Sequence, residues 1–182
     1  MRKIELLMLL LPIVFMIHEY EEIMMFRRWL DGNREELKRR FPKIEAFIAR
    51  SGLFRFSTAT FAAGTAHEFI LLSAISVYAV WSGEYQWWFA VLMGHSVHLL
   101  VHVAQWAVYQ KYVPVIITSA LTLPYCVYAA VRFTAAAAWS PLQILLWTGV
   151  GIILVLLSFP SAFFIMSRFH RWENNKRAES GE

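Results

Sequence analysis

Charged residues and cysteine are both scarce in this chain of 182 residues. Lysine, arginine, aspartate and glutamate make up 16% of the sequence and hydrophobic residues 58%, whereas soluble domains have roughly 45–50% apolar residues. Long stretches carry almost no charge, which excludes an ordinary soluble domain and is typical of an integral membrane protein. The single cysteine, Cys126, excludes an internal disulfide bond.

Five stretches are long and apolar enough to cross a bilayer, which takes about 20 residues. They run from Ile4 to Phe26, Phe56 to Trp81, Gln86 to Tyr109, Val113 to Phe133 and Leu142 to Met166. Tryptophans lie at several of the predicted ends, as an interfacial aromatic belt requires. The first stretch has a basic start like a signal peptide but lacks a small-residue cleavage site. A retained spanning helix is therefore predicted there.

The segment from Arg27 to Arg55 differs because it holds nine basic and four acidic residues. Its apolar residues recur at helical spacing, which predicts an amphipathic helix on a membrane surface; a solvated basic loop is the alternative. The predicted fold class is therefore all-α, a polytopic membrane helix bundle of about five transmembrane helices. The amphipathic interfacial segment lies between the first two. Residues 1–170 are predicted to form one membrane-embedded domain and residues 171–182 a polar C-terminal tail.

The distribution of lysine and arginine predicts the orientation of the chain. With the N-terminus outside, fourteen of the 17 basic residues lie on the cytoplasmic side and three outside. The sequence therefore predicts a multi-pass protein of the cell inner membrane with an outside N-terminus and a cytoplasmic C-terminus. Because the net charge of +4 follows the loops and not one helical face, no nucleic-acid partner is expected.

Ionisable side chains lie inside three predicted spans, where each is costly and therefore a functional candidate. They are His18, Glu19, Glu21 and Glu22 in the first span, His67 and Glu68 in the second, and His95, His98 and His102 in the third. Helical spacing places His18, Glu21 and Glu22 on one face, and the three histidines of the third span on another. At about 1.5 Å per residue along each helix, the three sets lie at overlapping depths in the membrane. Gly64 is predicted to let a neighbouring backbone come close.

Imidazoles and carboxylates together are ligands suited to zinc, iron or manganese. The sequence predicts Glu21 as a catalytic residue and seven metal ligands, namely His18, Glu22, His67, Glu68, His95, His98 and His102. This set exceeds the needs of one ion, so one or two divalent ions, zinc or iron, are expected, with the surplus residues as catalytic or supporting partners. A proton or ion relay, or purely structural hydrogen bonding, would use the same residues.

The run His18-Glu19-Tyr20-Glu21-Glu22 matches the pattern H-x-x-E-E and resembles the HXXEE-domain family of small bacterial integral membrane proteins. Only His18, Glu21 and Glu22 are carried over from that motif. Later histidines, in HEF and GHSVHLLVH, fit the resemblance, which covers the rest of the chain by hydropathy alone. The family has no firmly assigned activity, so the resemblance implies a metal site and no particular reaction.

We therefore expect an integral membrane metal-dependent enzyme that acts on a lipophilic substrate. In the favoured version a metal-activated water hydrolyses the substrate, with Glu21 or Glu22 as general base. In the alternatives, two irons bridged by Glu22 or Glu68 activate dioxygen in an oxidoreductase, or the same residues carry a metal ion or protons across the membrane. The expected partners are membrane lipids and a lipophilic small molecule or apolar peptide that enters from the lipid.

Overall fold

A computed structural model describes residues 2–180 and shows an all-α chain, as predicted. The helices are α1 (Arg2–Arg40), α2 (Pro42–Ser51), α3 (Thr58–Ser82), α4 (Tyr85–Tyr109), α5 (Ile116–Ala137) and α6 (Pro141–Ser180), with one 3-10 turn at Leu53–Arg55. The start of the predicted domain at residue 1 and the end of the predicted tail at residues 181–182 lie outside the described residues.

Helices α3 to α6 are each long and apolar enough to cross a membrane, and they coincide with the last four predicted spans. Their outward side chains are large and apolar, for example Ile117 and Leu121 on α5, which suits contact with lipid. Helix α1 carries the first predicted span. Among the described residues, α1 does not meet the same standard of hydropathy and charge as α3 to α6, because carboxylates and His18 interrupt its apolar stretch.

Helix α1 continues past Phe26, its predicted end, and stops only at Arg40. The predicted interfacial segment is therefore divided between the end of α1 and the short helix α2. Pro42 separates the two, because a proline disfavours helix at the residue before it and is well tolerated in the first turn of the next helix. None of the residues of α2 is buried, and its apolar side chains Ile44 and Phe47 are exposed. The predicted segment is thus mostly helical, in the end of α1, in α2 and in the 3-10 turn at Leu53–Arg55.

Contacts between distant segments gather the basic residues at one end of the bundle, called the basic end. It comprises the Arg27–Arg40 part of α1, α2, the 3-10 turn Leu53–Arg55, the link 110–115 and the C-terminal part of α6. Lys111 pairs with Glu36 at 2.8 Å, which holds the link against α1. Ser57 donates a hydrogen bond of 2.7 Å to Glu173, which holds α6 against the start of α3.

At the other end of the molecule, the opposite end, aromatic side chains pack between helices. Phe89 stacks on Phe133 with ring centroids 5.2 Å apart, and Trp139 packs edge-on against both rings. Pro12 leaves the carbonyl of Met8 without its usual helical donor. The indole N–H of Trp88 donates to that carbonyl at 3.2 Å and so ties α1 to α4. This contact sets the height at which the two helices face each other.

Glycines bring α4 and α6 into backbone contact. A Cβ atom on Gly94 would lie 2.6 Å from the carbonyl oxygen of Gly151, and one on Gly151 would overlap the carbonyl of Ala90. Small residues allow such close crossings between membrane helices. The prediction for Gly64 is wrong in its detail, because the atom nearest its Cβ position is Cγ of the Met166 side chain, at 2.7 Å, and not a backbone atom.

Candidate metal centre

Four side chains from α1 and α4 bring potential ligand atoms together. One such atom from each of His18, Glu22, His98 and His102 lies within 4.8 Å of the others. We call these four residues the ligand group. Each helix contributes two residues one turn apart, so both pairs point from a single helical face. Zinc holds nitrogen and oxygen ligands at about 2.0–2.2 Å, so ligand atoms around one ion are about 3–4 Å apart. Small side-chain rotations would close the group around an ion.

His18 lies at the centre of the group. Its ring is fully buried, and its centroid lies 5.4 Å from that of His98 and 5.3 Å from that of His102. Its Nε2 atom has no hydrogen-bond partner among residues 2–180. Buried polar atoms are normally paired, so an unpaired imidazole nitrogen facing other ligand atoms fits an atom that binds a metal.

His102 has a partner that fixes its orientation. Its Nδ1 atom lies 2.9 Å from Oε1 of Gln105, one turn further along α4. An amide oxygen accepts a hydrogen bond from Nδ1–H, which leaves the lone pair of His102 on Nε2, 3.0 Å from Nε2 of His98. Metal-binding histidines commonly have such a partner on the nitrogen that does not bind the ion.

A cavity of about 760 Å³ lies beside the ligand group, between α1, α3, α4 and α6. Most of its wall is apolar. Its polar lining residues are Glu19, Glu22, Thr65, Glu68, His95, His98, His102, Gln105, Ser158 and Ser161. In the part of the chain that the structure describes, no lysine or arginine lines this cavity.

Three other ionisable residues line the cavity outside the ligand group. His95 is buried, and its ring centroid lies 5.7 Å from that of His18. Atoms Nε2 of His95 and Oε1 of Glu68 are buried without a hydrogen-bond partner in the described chain. Glu19 is buried and accepts one long hydrogen bond, 3.4 Å, from Thr65. The predicted ligands His95 and Glu68 therefore lie in the same cavity but are not among the four that meet.

Glu21 points away from the cavity, toward the start of α5. Its carboxylate accepts hydrogen bonds from the hydroxyl of Tyr112 at 2.7 Å and from the backbone N–H and hydroxyl of Thr118 at 2.8 and 2.7 Å. A carboxylate at a helix N-terminus is stabilised by the helix dipole and by free N–H groups. Burial and the bond to Glu21 raise the pKa of Tyr112 to about 12, so Tyr112 remains a donor at neutral pH. The geometry gives Glu21 a positioning role, and its predicted catalytic role stays untested.

His67 does not reach the ligand group. Its Nε2 atom lies 2.8 Å from the hydroxyl of Ser161 on α6, and it is not among the residues that line the cavity. His67 and Glu68 are adjacent on α3, so their side chains point in directions about 100° apart. Glu68 faces the cavity and His67 faces α6. Whether His67 binds metal stays a prediction, which this placement does not favour.

Sequence reasoning left out the contributions of α5 and α6. Ser158 and Ser161 of α6 line the cavity, and Thr118 of α5 lies 3.5 Å from Nδ1 of His18 through its hydroxyl. The feature of the sequence that could have indicated a role for α6 is the interruption of its apolar run by Ser158-Phe159-Pro160-Ser161. Glu19 was also left out of the predicted site because it lies to one side of the face shared by His18 and Glu22.

The fold and this geometry define a helical membrane protein with a partly buried cluster of histidine and glutamate side chains. Residues 9–129 match the family model described as "Protein of unknown function with HXXEE motif". The chain belongs to this family, which confirms the resemblance based on residues 18–22. The match includes the whole ligand group. No curated protein and no solved structure is similar enough to the chain to count as a match.

Proposed function

We propose that this protein is an integral membrane enzyme that uses one divalent metal ion to hydrolyse a lipophilic substrate. The observation that carries the proposal is the ligand group, whose atoms lie within 4.8 Å of one another beside a largely apolar cavity of about 760 Å³. Three imidazoles and one carboxylate suit zinc; a catalytic zinc ion keeps three protein ligands and a water, so one of the four residues would give way to the water. Glu22 is half-buried, and a carboxylate without a cation would be costly in hydrocarbon, so its charge also favours a metal.

The reaction assigned to this site is the hydrolysis of an ester or amide. A divalent ion supplies a water that is acidic enough to lose a proton near neutral pH and polarises the carbonyl. Glu19 lines the cavity and lies one helical turn from Glu22 on α1, so we assign it the role of general base. The water oxygen bonds to the carbonyl carbon, its proton passes to Glu19, and the carbon–oxygen or carbon–nitrogen bond breaks. Glu19 then returns the proton to the leaving group.

The runner-up is the di-iron oxidoreductase. Glu19, Glu68 and His95 line the same cavity and are donors that a second ion would use. Among the described residues, however, only the ligand group brings its atoms together. One such group favours a single bound ion. A single ion suits hydrolysis, whereas the oxidoreductase needs two irons. A transporter is favoured less, because the polar lining residues cover only part of the depth of the bundle. On α4 they run from His95 to Gln105, about 15 Å of a hydrocarbon core about 30 Å thick.

We further propose that the basic end lies in the cytoplasm and that the membrane is the inner membrane. The basic residues of α1, α2, the link 110–115 and α6 meet at one end of the bundle, which is consistent with the positive-inside rule. The C-terminus is then cytoplasmic. The ligand group lies nearer to this side, because Glu21, adjacent to Glu22, bonds to Tyr112 of the link.

The test is a comparison of metal content and turnover in protein purified from membranes. Elemental mass spectrometry should find about one zinc or similar ion per chain, and a fluorogenic long-chain ester should be hydrolysed. Glu19→Gln should keep the metal and lose at least about 100-fold in turnover, the range expected for a general base. A wild-type protein that binds no divalent ion would overturn the proposal. A content of two irons per chain would favour the oxidoreductase over the hydrolase.

A further inference from the structure

The charges around the cavity do not balance when one divalent ion is bound. Glu19, Glu22 and Glu68 line the cavity, and in the described chain no lysine or arginine does. The fourth nearby carboxylate, Glu21, lies outside and is stabilised by Tyr112 and Thr118. One divalent ion can balance at most two of these three carboxylates, so a third lies in a low-dielectric site with no cationic side chain of the described residues beside it. A buried charge of this kind normally has a partner.

Atoms next to this surplus charge also lack partners. Nε2 of His95 and Oε1 of Glu68 are buried and make no hydrogen bond with residues 2–180, and the side chain of His95 is only 4% exposed. Glu19 lines the same cavity as Glu68 and accepts one long hydrogen bond, from Thr65. An alkylammonium carries three donors and one positive charge, so it would supply what carboxylate and imidazole acceptors need.

The wall of the cavity is apolar on the side of the opposite end, as it also is toward the basic end at Phe26 and Phe61. Each of the four helices contributes one apolar lining residue that lies one helical turn nearer the opposite end than a polar lining residue of the same helix. They are Phe15 of α1, Leu72 of α3, Val91 of α4 and Leu154 of α6. They lie one turn from Glu19, Glu68, His95 and Ser158, respectively. Ile75 continues this surface by about one further turn. We call these five residues the apolar floor.

The cavity is also accessible from the side. Val101 of α4 and Leu157 and Phe159 of α6 line it and are 47%, 65% and 43% exposed. Helices α4 and α6 touch through their backbones at Gly94 and Gly151, nearer the opposite end. The exposed residues lie beyond this contact toward the basic end. A molecule dissolved in the bilayer can therefore enter between α4 and α6.

We propose that the substrate is a cationic single-chain amphiphile, an ester or amide that carries an ammonium group and a long alkyl chain. This inference rests on the proposed single-metal site. The ammonium lies against Glu68 and His95, the alkyl chain lies on the apolar floor, and the reacting bond lies at the ligand group. A second metal ion would pair the carboxylates but would leave the apolar floor without a use. An anionic lipid would bring a second unpaired negative charge into the cavity.

The test compares tetradecylamine, tetradecanol and tetradecanoate, which share a chain and differ in charge. Zinc-loaded wild-type protein in nanodiscs of uncharged lipid is titrated with each, and binding is followed by the shift in melting temperature. The amine should half-saturate the protein at a concentration at least about tenfold lower than the alcohol, the value of one hydrogen bond between charged groups. The acid should bind most weakly.

Two variant pairs locate the binding. Glu68→Gln should lower the affinity for the amine to that for the alcohol, while the zinc content stays unchanged. Glu84 is exposed at the opposite end, so Glu84→Gln should change neither the affinity for the amine nor the zinc content. Val91→Trp should fill the apolar floor and weaken amine and alcohol alike. The matched change Leu121→Trp, on the lipid-facing side of α5, should not.

The wild-type comparison decides the inference even if a variant fails to fold. Equal binding of amine and alcohol, or an amine preference that survives Glu68→Gln, would overturn it and leave the metal enzyme in place. Two bound ions together with a preference for the acid would assign the surplus carboxylates to a second metal and also overturn it. A protein without any metal would remove the proposed function itself, which the zinc measurement reports separately.

Discussion

The Nε2 atoms of His98 and His102 lie 3.0 Å apart on successive turns of α4. Two nitrogen ligands of a tetrahedral zinc ion, with bonds of about 2.0–2.1 Å, are about 3.3 Å apart. Histidines spaced four residues apart on one helical face form such a pair in zinc enzymes. Because His102 is held by Gln105 through its other nitrogen, the pair is oriented before an ion arrives.

The first prediction follows from this pair. His98→Ala and His102→Ala should each lower the affinity for zinc by more than about 100-fold, because losing a ligand costs more than losing a supporting residue, which costs 10–100-fold. Equilibrium dialysis followed by elemental mass spectrometry measures the effect. His67→Ala is the matched control, since His67 bonds to Ser161 and lies outside the ligand group. A normal metal content in both α4 variants, or a loss in the control, would contradict the assignment.

Much of this arrangement could be predicted from the sequence. The all-α class, the last four spans and the H-x-x-E-E motif are visible in hydropathy and spacing, because membrane helices need long apolar runs and motifs are local. The proximity of His18 to the α4 histidines follows from overlapping depth. The continuation of α1 to Arg40 was not predicted, since the change from apolar to charged residues resembles a helix end until Pro42 is considered.

The side on which each acidic residue lies could not be predicted from the sequence. Adjacent residues on a helix differ by about 100°, so a motif with four ionisable residues in five positions must direct some of them away from any one site. Which of them face the cavity depends on the neighbours of α1. The link 110–115 and α5 supply Tyr112 and Thr118 as donors for Glu21, and this contact joins residues about a hundred positions apart in the chain.

The second prediction concerns Glu21. Glu21→Gln removes the charge that accepts three hydrogen bonds at the start of α5, so the free energy of unfolding should fall by about 2–4 kcal/mol. Zinc content should remain normal. Tyr112→Phe, which removes one donor and no charge, should show a smaller loss. Melting temperature and elemental analysis measure both. If Glu21→Gln instead kept full stability and metal but lost turnover, Glu21 would be the base, as the sequence alone predicts.

The third prediction concerns metal removal. An ion that binds only the folded protein stabilises it by about 4 kcal/mol when its free concentration is about a thousandfold above its dissociation constant. A chelator should therefore lower the melting temperature in detergent, and zinc should restore it. His18→Ala should melt low under both conditions, whereas His170→Ala, at the basic end, should respond like the wild type. If neither a chelator nor added ions changed the melting temperature of the wild type, the proposal of a bound metal would be wrong.

The fourth prediction concerns pH at the contact between α3 and α6. Hydrogen bonds from Ser57 and Thr60 hold the pKa of Glu173 below its ordinary value of 4.5, with the Ser57 bond the larger cause. A depressed carboxyl pKa contributes stability that is present above the ordinary value and is lost as the pH falls through the lowered one. Amide hydrogen exchange at residues 57–61, corrected for its intrinsic pH dependence, should therefore rise below about pH 4.5.

Variants of Glu173 check this contact without acid. Glu173→Gln should raise the same exchange at neutral pH and remove most of its pH dependence. Glu179→Gln, whose partner is the exposed Lys176, is the control and should change nothing near Ser57. Unchanged exchange in Glu173→Gln would show that the contact does not hold α6 against α3.

The last prediction concerns orientation in the membrane. The basic end should be cytoplasmic, because fourteen of the 17 lysines and arginines belong to segments at that end. Cysteines placed at Ser51 and Ser180 should resist an impermeant thiol reagent in intact cells and react after the cells are opened. A cysteine at Ser140, in the link before α6 at the opposite end, should react in intact cells. The wild type is the background control, because its single cysteine, Cys126, is buried. Labelling of Ser51 or Ser180 in intact cells, with Ser140 protected, would reverse the orientation. The ligand group would then lie nearer the outer side.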